Sequence, residues 1–115
     1  METVIWHNPR CSKSRQTMAL LEDRGLSPRV VDYLKTPPSA EEIDQVLELL
    51  DMEPRELMRR KEAEYAENGL DDPALTREQL VAAMVTNPRL IERPVVLHEG
   101  RAALGRPPEA VLEIL

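Results

Sequence analysis

The opening third of the chain restricts the possible folds more than any other part. Thr3-Val4-Ile5-Trp6 is a short run, mostly β-branched, of the kind that forms a buried strand. A polar turn follows, His7-Asn8-Pro9-Arg10-Cys11. Beyond it a helical pattern carrying Met18 and Leu21 runs to about Arg24, where Gly25 suits the C-terminal cap. Arg29-Val30-Val31-Asp32-Tyr33-Leu34 then reads as a second strand. Strand, helix and strand in this order make a βαβ unit, and its crossover sets the two strands parallel in one sheet.

Thr36-Pro37-Pro38 ends that unit, and Ser39 with Glu42 has the capping-box spacing ahead of Ile43, Val46, Leu47 and Leu50. Pro54 opens another helix with Leu57 and Met58 apolar, and helical character continues through Tyr65 to Gly69. Thr76 and Gln79 repeat the capping box before Leu80, Ala83 and Met84, until Asn87-Pro88 stops the helix. Sheet character returns at Pro94-Val95-Val96-Leu97. Glu99-Gly100 is a hairpin turn, Arg101-Ala102-Ala103-Leu104 the return strand, and Pro107-Pro108 begins a last helix that turns Val111, Leu112 and Leu115 inward. The expected fold class is α/β: a thioredoxin-like mixed sheet, βαβ then ββα, with a helical insertion between the halves. We expect a single domain over 1–115, with the insertion at approximately 39–87.

Composition narrows the function. The formal net charge of −6 disfavours nucleic acid as a partner, because phosphate backbones are bound by net basic surfaces. A single cysteine forms no internal disulfide, which excludes the small secreted scaffolds and fits a reducing cytoplasm. No apolar run is long enough for a membrane span, so a soluble protein is expected, and little apolar pattern is left over outside the helical block, which favours a monomer. His7 and His98, far apart and joined by one cysteine, make a poor ligand set, and no metal is expected.

That cysteine, Cys11, sits where the first strand turns into the first helix. Unpaired N–H groups and the positive helix end favour a thiolate there, and Arg10, Lys13 and Arg15 add positive charge nearby. A lone cysteine is commonly a small buried hydrophobe. Cys11, however, stands in a basic, proline-interrupted turn rather than on an apolar stripe, which favours a nucleophile. Cys11-Ser12-Lys13-Ser14 has the Cys-x-x-Cys spacing with serine in the second place, so a redox cycle here needs an external thiol. Ser14 either hydrogen-bonds the thiolate or caps the helix. His7 favours the thiolate as imidazolium, takes its proton as imidazole, or is simply structural. His98 reads as an exposed turn residue. Arg59 ends an apolar helical turn, whereas Arg93 and Arg106 each precede a proline at a change of chain direction. The planar guanidinium suits a tetrahedral oxyanion, although each arginine taken alone also reads as ordinary surface.

Several segments in order, His7-Asn8-Pro9-Arg10-Cys11, Tyr33-Leu34 to Pro37-Pro38, Leu57-Met58-Arg59-Arg60, Glu64-Tyr65 to Gly69-Leu70, Glu92-Arg93-Pro94-Val95-Val96 and Gly105-Arg106-Pro107-Pro108-Glu109, resemble the glutaredoxin-coupled arsenate reductase family of the ArsC type. The resemblance implies that Cys11 attacks arsenate and that Arg59, Arg93 and Arg106 hold the oxyanion, with Lys13 and Arg15 in the anion-binding turn. It further implies that His7 and Ser14 tune the thiol, and that Pro94 is the cis-proline of the fold. Spacing to Tyr65 favours Arg59 over Arg60. No bound cofactor is implied: glutathione serves as co-substrate and glutaredoxin as protein reductant, and phosphate or sulfate are expected to bind as weak analogues. Two other readings share the fold, an Spx-like RNA-polymerase-binding regulator and a glutathione-dependent thiol oxidoreductase with another substrate. Ser14 weighs against the first, whose switch needs a second sulfur.

Overall fold

The structure, a computed structural model, describes residues 2–115. Its contacts gather into two compact units. One carries the chain up to Thr36 and again over Arg93–Leu115; the other is Pro37–Glu92.

The first unit holds β1 (Thr3–Trp6), α1 (Ser12–Asp23), β2 (Arg29–Val31), β3 (Val95–His98), β4 (Arg101–Leu104) and a 3-10 helix at Pro108–Ile114. Its mixed sheet runs β2-β1-β3-β4, with β1 parallel to β2 and antiparallel to β3, and β3 antiparallel to β4. This is the thioredoxin-like arrangement. Ile5 and Val96, paired across β1 and β3, meet Leu21 of α1 and Val111 and Ile114 of the last helix in one buried cluster. Each such side chain withdrawn from water is worth about 1.5–3 kcal/mol. α1 closes as its sequence indicates: Gly25 takes φ +78, its N–H donates to Glu22 O, and Leu26 N–H donates to Leu21 O. Glu99 and Gly100, both at positive φ, form the two-residue turn between β3 and β4.

The first unit departs from the sequence reading in three places. β2 stops at Val31 instead of reaching Leu34, because Asp32 O accepts the N–H groups of Lys35 (3.0 Å) and Thr36 (2.9 Å) and turns the chain. The last helix is 3-10 and buries Ile114 rather than Leu112. At three residues per turn Val111 and Ile114 eclipse one another and share the line that faces Leu21. His98 belongs to β3, not to the turn. It is half-buried, and its Nδ1 lies 2.6 Å from Oγ1 of Thr3, its partner in register.

The second unit contains α2 (Ala40–Leu50), a 3-10 turn at Pro54–Leu57, α3 (Ala63–Glu67), α4 (Arg77–Thr86) and a 3-10 turn at Pro88–Leu90. Both expected capping boxes are formed. Glu42 N–H donates to Ser39 Oγ at 3.2 Å, Gln79 N–H donates to Thr76 Oγ1 at 3.2 Å, and each partner side chain accepts in return. α2 ends on Asp51 in the left-handed region, φ +55, without the glycine that usually marks such a stop. The helix expected from Pro54 through Tyr65 is broken, since Met58 is extended and bridges Ile91 in antiparallel fashion. Arg59 N–H donates to Leu90 O and Glu92 N–H to Leu57 O, both at 2.7 Å. That pairing carries the unit to Glu92, beyond the expected boundary near 87. Among the described residues no helix is long and apolar enough to cross a membrane.

Candidate active site

The turn after β1 is built from its own polar groups. His7 N–H donates to Val31 O at 2.9 Å and prolongs the β1–β2 ladder by one bond. Asn8 then folds the chain: its carbonyl accepts Cys11 N–H at 2.9 Å, and its Oδ1 accepts Arg10 N–H at 3.0 Å. Cys11 is left at the N-cap of α1 in extended conformation, φ −95 and ψ 124, with its carbonyl accepting Arg15 N–H. No side-chain oxygen caps this helix and no acid lies in its first turn. Its leading amides therefore remain available to an anion.

Cys11 is buried, 8% exposed. Burial pushes its thiol up. The Ser14 amide, the charge of Arg93, the Lys13 amide and a hydrogen bond from Arg93 together outweigh that effect and hold the thiol below its ordinary value. Arg106 approaches as well, with Nη2 3.9 Å from Sγ. The β3–β4 hairpin explains how two arginines so far apart in sequence reach one sulfur. Its register pairs Val95 with Leu104; one step further Gly105 N–H donates to Pro94 O at 2.9 Å, and beyond that Arg106 Nε donates to Arg93 O at 2.7 Å. The Arg93–Pro94 and Arg106–Pro107 peptide bonds are both cis.

The other candidate residues take different places. Ser14 is fully buried, and its Oγ accepts Asn8 N–H at 3.0 Å and lies 2.6 Å from Nδ1 of His7. The Ser14 hydroxyl donates to Nδ1 of an imidazole protonated at Nε2, or accepts from Nδ1–H in the other tautomer. Burial lowers the His7 pKa and Arg15 adds to that, against an opposing pull from Asp32. Thus the amide of Ser14 serves the sulfur, while its hydroxyl ties His7 and Asn8 together; the capping position belongs to Cys11. The Lys13 amide also serves the sulfur, but its side chain is exposed, and Arg15 Nη1 donates to Pro9 O at 2.9 Å. Arg59 lies in the second unit, its Nη1 2.6 Å from Glu62 Oε1, and Arg60 Nε donates to Arg55 O at 3.4 Å.

Three supporting residues were given no role of their own in the sequence reading. Asn8 forms the turn. Thr17, fully buried, donates its hydroxyl to Lys13 O at 2.8 Å, and Gly105 brings β4 against Pro94. Of these only Asn8 carried a signal, as an Asn-Pro turn former. Among the described residues no group of three or more His, Cys, Asp or Glu is placed to hold a metal ion.

This electrostatic arrangement has a direct consequence. Alkylation of Cys11 by iodoacetamide, followed against pH, should show a midpoint below that of an ordinary thiol, and Arg93→Met should move it up, since a lost cation favours the protonated form. Arg106→Met should move it in the same direction. An unchanged midpoint in both variants would mean that the guanidinium groups do not stabilise the thiolate.

The sequence model of the ArsC family matches residues 6–114. An arsenate reductase of Neisseria meningitidis (serogroup A) is 46% identical over 99% of this chain and 98% of that protein. The uncharacterized protein YfgD of Escherichia coli (strain K12) is 54% identical over 99% of this chain and 97% of its own length. Among solved structures, an arsenate reductase from Vibrio cholerae superposes with a TM-score of 0.97 at 52% identity, covering 100% of this chain and 98% of the other. A match that takes in the Cys11 turn, the second unit and the Arg93–Arg106 hairpin, repeated by relatives aligned nearly end to end, identifies the chain as a member of the ArsC family.

Proposed function

We propose that this protein reduces arsenate to arsenite, with Cys11 as nucleophile and glutathione and glutaredoxin as the source of electrons. The observation that carries the reading is the lowered Cys11 thiol at the uncapped start of α1, with Arg93 and Arg106 beside the sulfur. The names of its relatives support the choice of substrate.

In this reading the Cys11 thiolate attacks arsenic(V). A sulfur–arsenic bond forms and an oxygen leaves as water after protonation, the arsenic remaining pentavalent. Arg93 and Arg106 offset the charge on the remaining oxygens, as do the amides at the start of α1. Glutathione condenses at the same arsenic and displaces a second oxygen as water. A glutaredoxin thiolate then attacks the glutathione sulfur. The new sulfur–sulfur bond removes two electrons' worth of oxidation from the arsenic, which stays on Cys11 as arsenic(III), and hydrolysis releases arsenite and restores the thiol. The chain has one cysteine, which agrees with a cycle that takes its second sulfur from outside. Such chemistry suits the reducing cytoplasm. Phosphate and sulfate, of similar shape, occupy the same place without reacting.

The test is a coupled assay: purified protein, arsenate, glutathione, glutaredoxin, glutathione reductase and NADPH. NADPH oxidation should depend on arsenate and fall to background when glutaredoxin is omitted. Oxidation indifferent to arsenate, or none while Cys11 still alkylates readily at neutral pH, would overturn the reading and turn attention to another thiol substrate.

A further inference from the structure

Asn8 is bonded at three places to the turn that carries Cys11. Its N–H donates to Ser14 Oγ at 3.0 Å, its carbonyl accepts Cys11 N–H at 2.9 Å, and its Oδ1 accepts Arg10 N–H at 3.0 Å. The second bond closes a four-residue turn with Pro9 in its second place, where the ring presets the backbone, and the third closes a smaller turn inside it through the side chain. Beyond the turn, Cys11 O accepts Arg15 N–H at 3.0 Å and starts α1. Cys11 is thus held on one side by Asn8 and on the other by the helix, with its sulfur toward the amides of Lys13 and Ser14. The charged and titratable groups about that sulfur are Arg93 and Arg106 from the hairpin, and His7, which reaches Ser14 Oγ from the end of β1. No acid lies in the first turn of α1, and none stands in the stretch His7-Asn8-Pro9-Arg10 that leads into it.

We infer that Asn8 positions the Cys11 sulfur for reaction, and that its side chain is fitted to this by being an acceptor without charge. Asparagine and aspartate serve equally at the head of such a turn, since both offer the oxygen that Arg10 N–H requires. They differ in charge. An aspartate here would set a carboxylate three residues before the sulfur, on the residue whose carbonyl holds the cysteine amide. It would oppose a thiolate, and any anion brought to it, and undo part of what Arg93 and Arg106 supply. Asn8 is half-buried, so water and salt would screen that charge only in part. The amide oxygen keeps the turn closed without this opposition. Asn8 is therefore a positioning residue: it acts through the path of the backbone rather than by a bond to the sulfur. The inference rests on the reading of Cys11 as nucleophile given above, and not on which substrate the thiolate attacks.

The experiment follows alkylation of Cys11 by iodoacetamide against pH, with a urea titration alongside, in wild type and the Asn8→Asp, Asn8→Ala and Asn8→Ser variants. The main-chain bonds to Ser14 and Cys11 are open to all four, so only the side-chain bond and its charge differ. Asn8→Asp should unfold at nearly the wild-type urea concentration and raise the alkylation midpoint by about half a pH unit to one unit, a shift that a merely structural role would not produce. Asn8→Ala leaves Arg10 N–H without its partner and loosens the turn. Its alkylation midpoint should also rise, and its rate at neutral pH should fall about threefold to tenfold as the thiolate fraction drops. Asn8→Ser, whose hydroxyl makes the same small turn more weakly, should lie between alanine and wild type. Aspartate and serine carry the test if the alanine variant folds poorly. A folded alanine variant with the wild-type alkylation midpoint would overturn the proposal whatever its urea midpoint, since Asn8 would then only support the fold. An aspartate variant with the wild-type alkylation midpoint would overturn it too, because charge at that place would not reach the sulfur. None of these readouts uses arsenate, so a coupled assay that fails while the shifts appear would strike the substrate and leave the role of Asn8 standing.

Discussion

Cys11→Ser is expected to abolish arsenate-dependent NADPH oxidation in the coupled assay, a loss on the order of 10⁴-fold or greater. A serine hydroxyl is not ionised near neutral pH, and the amides and arginines that lower the thiol cannot bring an alkoxide within range. Even if an oxygen ester formed, it would lack the sulfur on which the reduced arsenic is retained. Phosphate binding should survive or tighten, as judged by calorimetry, because the substitution removes a negative charge while Arg93, Arg106 and the amides of Lys13 and Ser14 remain. Turnover in the variant would take the nucleophile's role from Cys11. Loss of phosphate binding with the fold intact would mean that the cradle of cations and amides does not hold the anion.

The second large effect belongs to a residue with no side chain. A Cβ on Gly105 would collide with Thr17 Oγ1 and come within 2.7 Å of Pro94 Cγ. Thr17 is fully buried and Pro94 is buried, so neither neighbour can swing into solvent. Gly105 is needed for close approach and not for an unusual backbone angle, which makes the penalty one of overpacking. Gly105→Ala should cost about 1–3 kcal/mol in a urea titration, and Gly105→Val at least as much. Alkylation of Cys11 at neutral pH should slow in the same variants, since Arg93 and Arg106 flank the contact that is forced apart. An alanine variant with wild-type stability would show that the hairpin yields at no cost and that the close approach is incidental.

The parts of the fold that were legible in the sequence are those written in local chemistry. Ser39 with Glu42 and Thr76 with Gln79 announce their helices because the capping bonds join residues three apart. Glu99-Gly100 announces the hairpin and Gly25 the end of α1 for the same reason. Long-range and subtle bonds remained hidden. Nothing near Asp32 shows that its carbonyl will take two amides and cut β2 short, and Asp51 lacks the glycine that would have marked its left-handed turn. The fate of the Ser14 hydroxyl was undecidable from its neighbours in sequence. The two acceptable partners for a helix-start serine were the sulfur and the first amides, yet it bonds His7 and Asn8 from the preceding strand end. Arg93 and Arg106 stood out by their prolines, but their meeting depends on a register counted back from the hairpin turn. Arg59 gave no hint of the carboxylate that already holds it, although Glu62 sits three residues away.

The bare beginning of α1 has a meaning beyond reactivity. Most helices close their first turn with a neutral hydroxyl or a fixed carboxylate, which stays in place whatever the protein is doing. Here the group at that position is the sulfur proposed as nucleophile, so its electrical state doubles as the state of the helix's fastening. When the sulfur is a thiolate, the Ser14 and Lys13 amides hold it and the fastening is engaged. In the proposed cycle the sulfur's charge is spent once it carries arsenic, and the same amides would turn to oxygens of the bound adduct, so release of the product would also be the moment at which the helix recovers its own anchor.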